Sequence, residues 1–293
     1  MGNSSYSVSD RAVRTMSCGY DSLPSEKIFK QRNINNAMNP NGIKIREARD
    51  SKEHPNSVPI ILGLDVTGSM ETVPHFLVKE GLPKMMGKII QAGIPDPQVL
   101  FLGIGDHEED SSPLQVGQFE SGDELLDKWL TDLWLEGGGG GNEGESYLLA
   151  WYFAAKHTSI DSFDKRKKKG YVFTIGDEPT LKRVPAKTLK ALMGDGQYGD
   201  MNAADLLEKA SERYHVFHLH ITQTFAGERQ ETIDGWKQLL QDNLIIVKDR
   251  NDVAKTIADI VLKTESKNGS KVAKPAVGET KEEDVEGEDE DML

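Results

Sequence analysis

Val58-Pro59-Ile60-Ile61-Leu62-Gly63-Leu64-Asp65-Val66-Thr67-Gly68-Ser69-Met70 is the stretch on which the fold turns. Its first seven residues contain no charged or hydrogen-bonding side chain. A strand with one wet face alternates apolar and polar residues, so this run reads as a strand covered on both faces. A carboxylate and two hydroxyls then follow at alternate positions, Asp65, Thr67 and Ser69. Gly68 lets the chain turn tightly between them. From Met70 to Ala92 apolar residues recur at helical spacing, interrupted by Pro74 and Pro83.

The same alternation continues along the chain. Val99 to Ile104, Tyr171 to Ile175, His215 to Ile221 and Leu244 to Val247 read as strands. Asp123 to Leu133, Glu143 to His157, Asn202 to Glu212, Ile233 to Leu240 and Val253 to Lys263 read as helices. Leu114 to Phe119 is shorter and more polar, as expected of an antiparallel edge strand. Strand–helix alternation predicts an α/β fold with a doubly wound, mostly parallel sheet and helices on both faces. Ligands of such sheets bind at the carboxyl ends of the strands, so the chemistry is sought there.

The body spans residues 57–264. Residues 1–56 read as a partly irregular N-terminal arm, with short helical stretches around Lys27 to Ala37. Its Tyr6, Tyr20 and Phe29 are too sparse to show a pairing surface. Residues 265–293 read as a disordered acidic tail, because apolar residues are few and nine acids with one lysine fill Glu279 to Asp291.

The chain has 293 residues, 28% charged and 37% hydrophobic, with a net charge of −13. That charge repels phosphates and argues against nucleic-acid binding. No apolar run is long enough to span a bilayer, and no leader-like apolar segment opens the sequence. Tyr6 stands where a myristoylation signal needs Ser or Thr. The expected compartment is the cytoplasm. The single cysteine, Cys18, allows no internal disulfide and no Cys-based zinc site.

Three features meet at the predicted carboxyl edge. Asp65, Thr67 and Ser69 can turn three oxygens to one point, which suits a hard cation such as Mg²⁺. The same residue types also cap helix N-termini. A second carboxylate, Asp177, follows the Tyr171 to Ile175 strand in Gly176-Asp177-Glu178. Five glycines, Gly137 to Gly141, then lead through Asn142-Glu143-Gly144-Glu145-Ser146 into a helix. Such a run suits either a loop that must approach something closely or a flexible linker.

In this order and spacing the set resembles the von Willebrand factor type A domain with its metal-ion-dependent adhesion site. Asp65, Thr67 and Ser69 match the family's Asp-x-Ser-x-Ser, with Thr at the middle position. Asp177 matches the distal Asp. Gly139 to Ser146 is similar to the Gly-Gly-Gly-Asp-x-Pro-Glu loop of intracellular members, including those linked to alpha-kinases, and Asp106-His107 to the Asp-His pair of that branch. The resemblance covers 57–264. It implies a Mg²⁺ site built from Asp65, Thr67, Ser69, Asn142 and Asp177, with Asp106, His107 and Glu145 in supporting positions. It also implies a protein partner whose Asp or Glu completes the ion's coordination. Asp106 to Asp110 reads equally as a solvated loop. The competing reading is a phosphohydrolase of the haloacid dehalogenase type with Asp65 as nucleophile. Such enzymes carry a second Asp two residues on, and this chain has Thr67. No Walker loop is present, because the glycine run lacks its Lys-Ser/Thr ending.

The remaining polar features read as structural. His218 and His220 share one strand face, opposite His215, without a recognisable third zinc ligand. Lys165 to Lys169 reads as a solvated turn or an anion patch, and Trp129 and Trp134 as core.

Overall fold

The computed structural model describes residues 5–137 and 144–267. The strands in chain order are β1 (Arg46–Ala48), β2 (Val58–Asp65), β3 (Pro97–Ile104), β4 (Leu114–Val116), β5 (Thr158–Ile160), β6 (Gly170–Gly176), β7 (Arg183–Val184), β8 (Met201–Asn202), β9 (Tyr214–Ile221) and β10 (Leu244–Val247). The helices are α1 (Val8–Cys18), α2 (Ser25–Ile28), α3 (Thr72–Phe76), α4 (Leu82–Gln91), α5 (Asp123–Thr131), α6 (Tyr147–Lys156), α7 (Asp161–Asp164), α8 (Ala186–Met193), α9 (Ala203–Arg213), α10 (Gln230–Leu240) and α11 (Val253–Lys267). Among the described residues no helix is long and apolar enough to cross a membrane.

Six strands form the central sheet in the order β10-β9-β6-β2-β3-β4. Every neighbouring pair is parallel except β3 with β4, the expected antiparallel edge. The continuous apolar run is explained by two separate cores. Ile60, Leu62 and Leu64 of β2 face one, and Ile61 faces the other. Strand β6 divides the same way, Tyr171, Phe173 and Ile175 against Val172. Helices α3, α4, α5 and α11 cover the first face, and α6, α8, α9 and α10 the second.

The sheet also places the site. From β2 the chain moves to β3 on one side, and only later reaches β6 on the other. Loops leaving β2 and β6 therefore diverge, which opens a crevice at their carboxyl ends. Asp65 ends β2 and Asp177 immediately follows β6. The helix after β2 breaks where its prolines predict. Pro83 offers no N–H to the carbonyl four residues back, and a π-helical turn, Leu77–Gly81, takes up the mismatch before α4.

The segment read as an arm is built into the body. Helix α1 and helix α8 were not visible as periodic runs. Tyr6, Tyr20, Ile28, Phe29 and Met38 belong to the first core and Ala48 to the second. Strand β1 pairs in parallel with β5. Beyond it, Arg49 and Lys165 both reach Asp161, at 2.9 and 2.7 Å, and Arg166 pairs with Asp50. The basic run is thus a clasp for this strap rather than a bare turn. At the other end α11 continues past 264 and buries Glu265, which accepts from the Tyr171 hydroxyl at 2.9 Å. The boundary drawn at 265 therefore falls inside a helix; residues 268–293, with the acidic run, lie outside the described residues. Trp129 and Trp134 are half-buried rather than central.

The strap sets a pH dependence. Burial pushes the Asp50 and Asp161 carboxyls up, but Arg166 and Ser57 on Asp50, and Lys165, the Asp50 N–H and Arg49 on Asp161, outweigh it and hold both below their ordinary value. A depressed carboxyl contributes stability above its unfolded pKa, about 3.9 for Asp, and loses it as pH falls through the folded value. Urea midpoints should therefore drop as pH is lowered through and below about 4. Arg166→Met should show a smaller drop over the same range, and an unchanged slope would contradict the assignment.

Candidate functional site

Strand β2 delivers Asp65 to the crevice with both oxygens engaged. Oδ1 accepts from the Thr67 N–H at 2.9 Å and the Thr67 hydroxyl at 2.5 Å. Oδ2 accepts from the Tyr147 hydroxyl at 2.6 Å. Across the crevice the Ser69 hydroxyl donates to Asp177 Oδ1 at 3.2 Å. The structure thus brings Asp65, Thr67, Ser69 and Asp177 into one site. Asn142 lies outside the described residues.

Asp65, Thr67 and Asp177 are buried, while Gly68 and Ser69 are exposed. The site is closed at its floor and open at the loop tip. Thr67 and Ser69 both spend their hydroxyl hydrogens on carboxylates, so their oxygens keep only lone pairs to offer. That polarity suits a cation and is wrong for an anion. Asp177 Oδ2 is buried without a hydrogen-bond partner among the described residues. A buried carboxylate oxygen left unpaired is costly, and a bound cation is one way to satisfy it. Among the described residues no three His, Cys, Asp or Glu side chains converge on one metal position. An ion here would rest on Asp177, hydroxyl oxygens and water, with Asp65 orienting Thr67. That is the sparse oxygen set Mg²⁺ accepts.

The supporting residues divide. Glu145 opens the turn into α6, and its backbone straps the site together. Its N–H donates to the Pro179 carbonyl and its carbonyl accepts from Leu181, both at 2.9 Å. Its Oε2 is buried and unpaired. His107 contacts Ser146 instead of the carboxylates. Its N–H donates to the Ser146 hydroxyl at 2.8 Å, and its Nδ1 lies 2.7 Å from that oxygen. Asp106 turns into its own loop and accepts from the Glu108 N–H at 2.8 Å. Neither Asp106 nor His107 has a hydrogen bond to Asp65 or Asp177 among these contacts.

Electrostatics mark the same centre. Burial pushes the Asp65 carboxyl well up, and the Asp177 charge adds to it against the Thr67 and Tyr147 hydrogen bonds. Burial also drives Glu145 far up, with Asp65, Asp110, Asp106 and Glu178 contributing. The mutual repulsion of these carboxylates would be relieved by one positive charge among them.

Tyr147 is the residue that sequence reasoning missed. Its hydroxyl sits at the start of a helix that is otherwise almost wholly apolar, and that is the only sequence signal it leaves. Trp236 was missed as well. It stacks on His218 with centroids 3.6 Å apart, and its Nε1 donates to the Glu178 carbonyl at 3.0 Å. His218 and His220 are both fully buried, as expected of core histidines.

The fold and site define a doubly wound α/β domain with a carboxylate-hydroxyl cluster at the switch point of its sheet. No protein-family model matches the chain, and no curated protein sequence does. Solved structures do match. The pilus adhesin SpaC of Lactobacillus rhamnosus GG, in its open conformation, is 14% identical over 76% of this chain, with a TM-score of 0.48; the match spans 31% of that protein. The conserved hypothetical protein BatB of Bacteroides thetaiotaomicron is 12% identical, over 71% of this chain and 99% of that one, with a TM-score of 0.43. The vWF domain of the type V pili tip protein Mfa5 of Porphyromonas gingivalis is 9% identical, over 71% and 96%, with a TM-score of 0.43.

Proposed function

We propose that this chain is a protein-docking module of the von Willebrand factor type A kind, which holds Mg²⁺ at Asp65, Thr67, Ser69 and Asp177 and captures an Asp or Glu of a protein partner. The observation that carries this reading is the polarity of the site. The Thr67 and Ser69 hydroxyls commit their hydrogens to Asp65 and Asp177 and keep only lone pairs to offer, in a site that also holds a buried Asp177 oxygen with no partner among the described residues. When bound, the ion supplies the positive charge that a partner's carboxylate completes. Asp65 and Asp177 bring two negative charges against the ion's two positive ones. The inner site is then close to neutral and still attracts one more carboxylate. Asn142 belongs to the proposed set as a neutral ligand from the glycine-rich loop.

A phosphohydrolase reading finds less support. Both oxygens of Asp65 accept hydrogen bonds from Thr67 and Tyr147, which lowers their nucleophilicity. Thr67 also stands where the general acid is required.

Isothermal titration of Mg²⁺ into the full chain tests the proposal. The wild type should bind one ion, and Asp65→Ala should bind at least about tenfold more weakly, the usual cost of disturbing groups that position metal ligands. Loss of circular-dichroism signal in the variant would identify misfolding instead. A wild type that takes up no Mg²⁺ would sink the proposal.

A further inference from the structure

Immediately beyond Asp177 the surface opens into a groove that the ion site does not use. Its walls are Pro179 and Lys182 after β6, Ala203 at the start of α9, and Gly235, Trp236 and Leu239 of α10. The volume is about 470 Å³, and most of the lining is carbon. Trp236 is 2% exposed and forms the floor.

The groove and the ion site share a wall. The Trp236 indole N–H is bonded to the carbonyl of Glu178, the residue next to Asp177. The Tyr147 ring, whose hydroxyl holds Asp65, lies 5.6 Å from the Trp236 ring. Pro179 follows Asp177 by two residues, which places it no more than about 7 Å away along the chain. The Pro179 carbonyl is in turn tied to the Glu145 N–H. The two features are therefore held in a fixed relation.

Gly235 points to use rather than to folding. It lies in the interior of α10, where glycine weakens a helix. A Cβ added there meets nothing within 4 Å, so no neighbour demands its absence. Small residues on both walls, Gly235 and Ala203, keep the groove open. Lys182 is exposed at its rim and supplies a positive charge that suits an acidic segment.

Resting on the ion-docking reading above, we propose that this groove seats a large apolar side chain of the same partner segment whose carboxylate meets the ion. The recognised partner then carries an Asp or Glu with a Leu, Ile or Phe close by in sequence. Side chains on one face of a partner segment recur every two residues in a strand, about 7 Å apart, and every three or four residues in a helix, about 5–6 Å apart, and these spacings suit two adjacent sites. The ion site selects the acid, and the groove selects which acidic segments bind.

A random dodecapeptide display library, panned on the full chain in Mg²⁺ and eluted with EDTA, provides the test. The eluted peptides should be enriched in an acidic residue with a large apolar residue two to four positions away. Fluorescence anisotropy of a selected peptide should show about a tenfold or greater loss on Gly235→Leu, the scale of one buried apolar side chain, and a smaller loss on Gly235→Ala. Both variants should match or exceed the wild-type thermal midpoint and keep its Mg²⁺ affinity. EDTA-eluted peptides with an acid but no apolar enrichment, bound equally by Gly235→Leu, would overturn the groove and leave the ion reading standing. If EDTA releases no peptide, the ion reading fails, and the pairing of groove with ion fails with it.

Discussion

Arg11→Ala in the full chain should lower stability by about 3–5 kcal/mol, the range found when one partner of a buried ion pair is removed. Arg11 is fully buried although it belongs to the first helix of the chain. Its Nη1 bonds Asp127 and lies 3.4 Å from Asp123 Oδ1, while its Nη2 donates to the Val78 carbonyl. Arg14 completes Asp123 at 2.7 Å, and the Tyr20 hydroxyl completes Asp127 at 2.8 Å. Without Arg11, the buried Asp127 carboxylate loses its counter-charge, and Asp123 is left with Arg14 alone. The Val78 carbonyl, in the π-helical turn behind the Asp65 loop, loses its donor. Urea unfolding of wild type and Arg11→Ala measures the difference. Lys84→Ala is the contrast, because its pair with Glu80 is exposed and should contribute less than about 1 kcal/mol. If the two variants lose similar amounts, the first helix is an accessory rather than a buried part of the fold.

That prediction could not be made from the sequence, and the reason is physical. Strands β2, β3 and β6 were legible because a strand covered on both faces is almost wholly apolar, and β9 because apolar residues still alternate with its three histidines. Their order along the chain, with helices between, is enough to imply a parallel sheet. Asp65, Thr67, Ser69 and Asp177 were legible because strand ends in such a sheet point to one edge. Helix α1 was not, because its buried anchor is an arginine. A helix held by a buried ion pair leaves no apolar stripe to read. Tyr147 and Trp236 were hidden for a similar reason. Each looks like core in one dimension, and the hydrogen bond made by its polar tip appears only when two distant segments meet. Asp106 and His107 show the reverse case. Their position beside the crevice was readable, but their side chains turn to Glu108 and Ser146 instead of to the carboxylates.

Gly176→Ala should be as damaging as the loss of Arg11, although it adds one methyl group. Gly176 ends β6 directly before Asp177, and a Cβ there would lie 1.7 Å from the Tyr147 hydroxyl oxygen and 2.5 Å from its ring carbon Cζ. Tyr147 cannot swing away, because it is fully buried and packed between His218 and Trp236 at 5.0 and 5.6 Å. Forcing a methyl into such a space costs about 1–3 kcal/mol in overpacking. Displacing the Tyr147 hydroxyl also strips Asp65 Oδ2 of its donor, and a hydrogen bond to a charged group contributes about 1.5–3 kcal/mol. The expected loss is therefore about 3–5 kcal/mol, read by urea unfolding. Gly199→Ala serves as the reference, since nothing lies within 4 Å of the added carbon and its stability should stay within about 0.5 kcal/mol of wild type. Mg²⁺ titration of whatever folded Gly176→Ala remains adds the functional side. The proposed ion site needs Asp65 held on both oxygens, so affinity should fall together with stability. Unimpaired Mg²⁺ binding in a destabilised Gly176→Ala would show that Tyr147 supports the core without positioning Asp65.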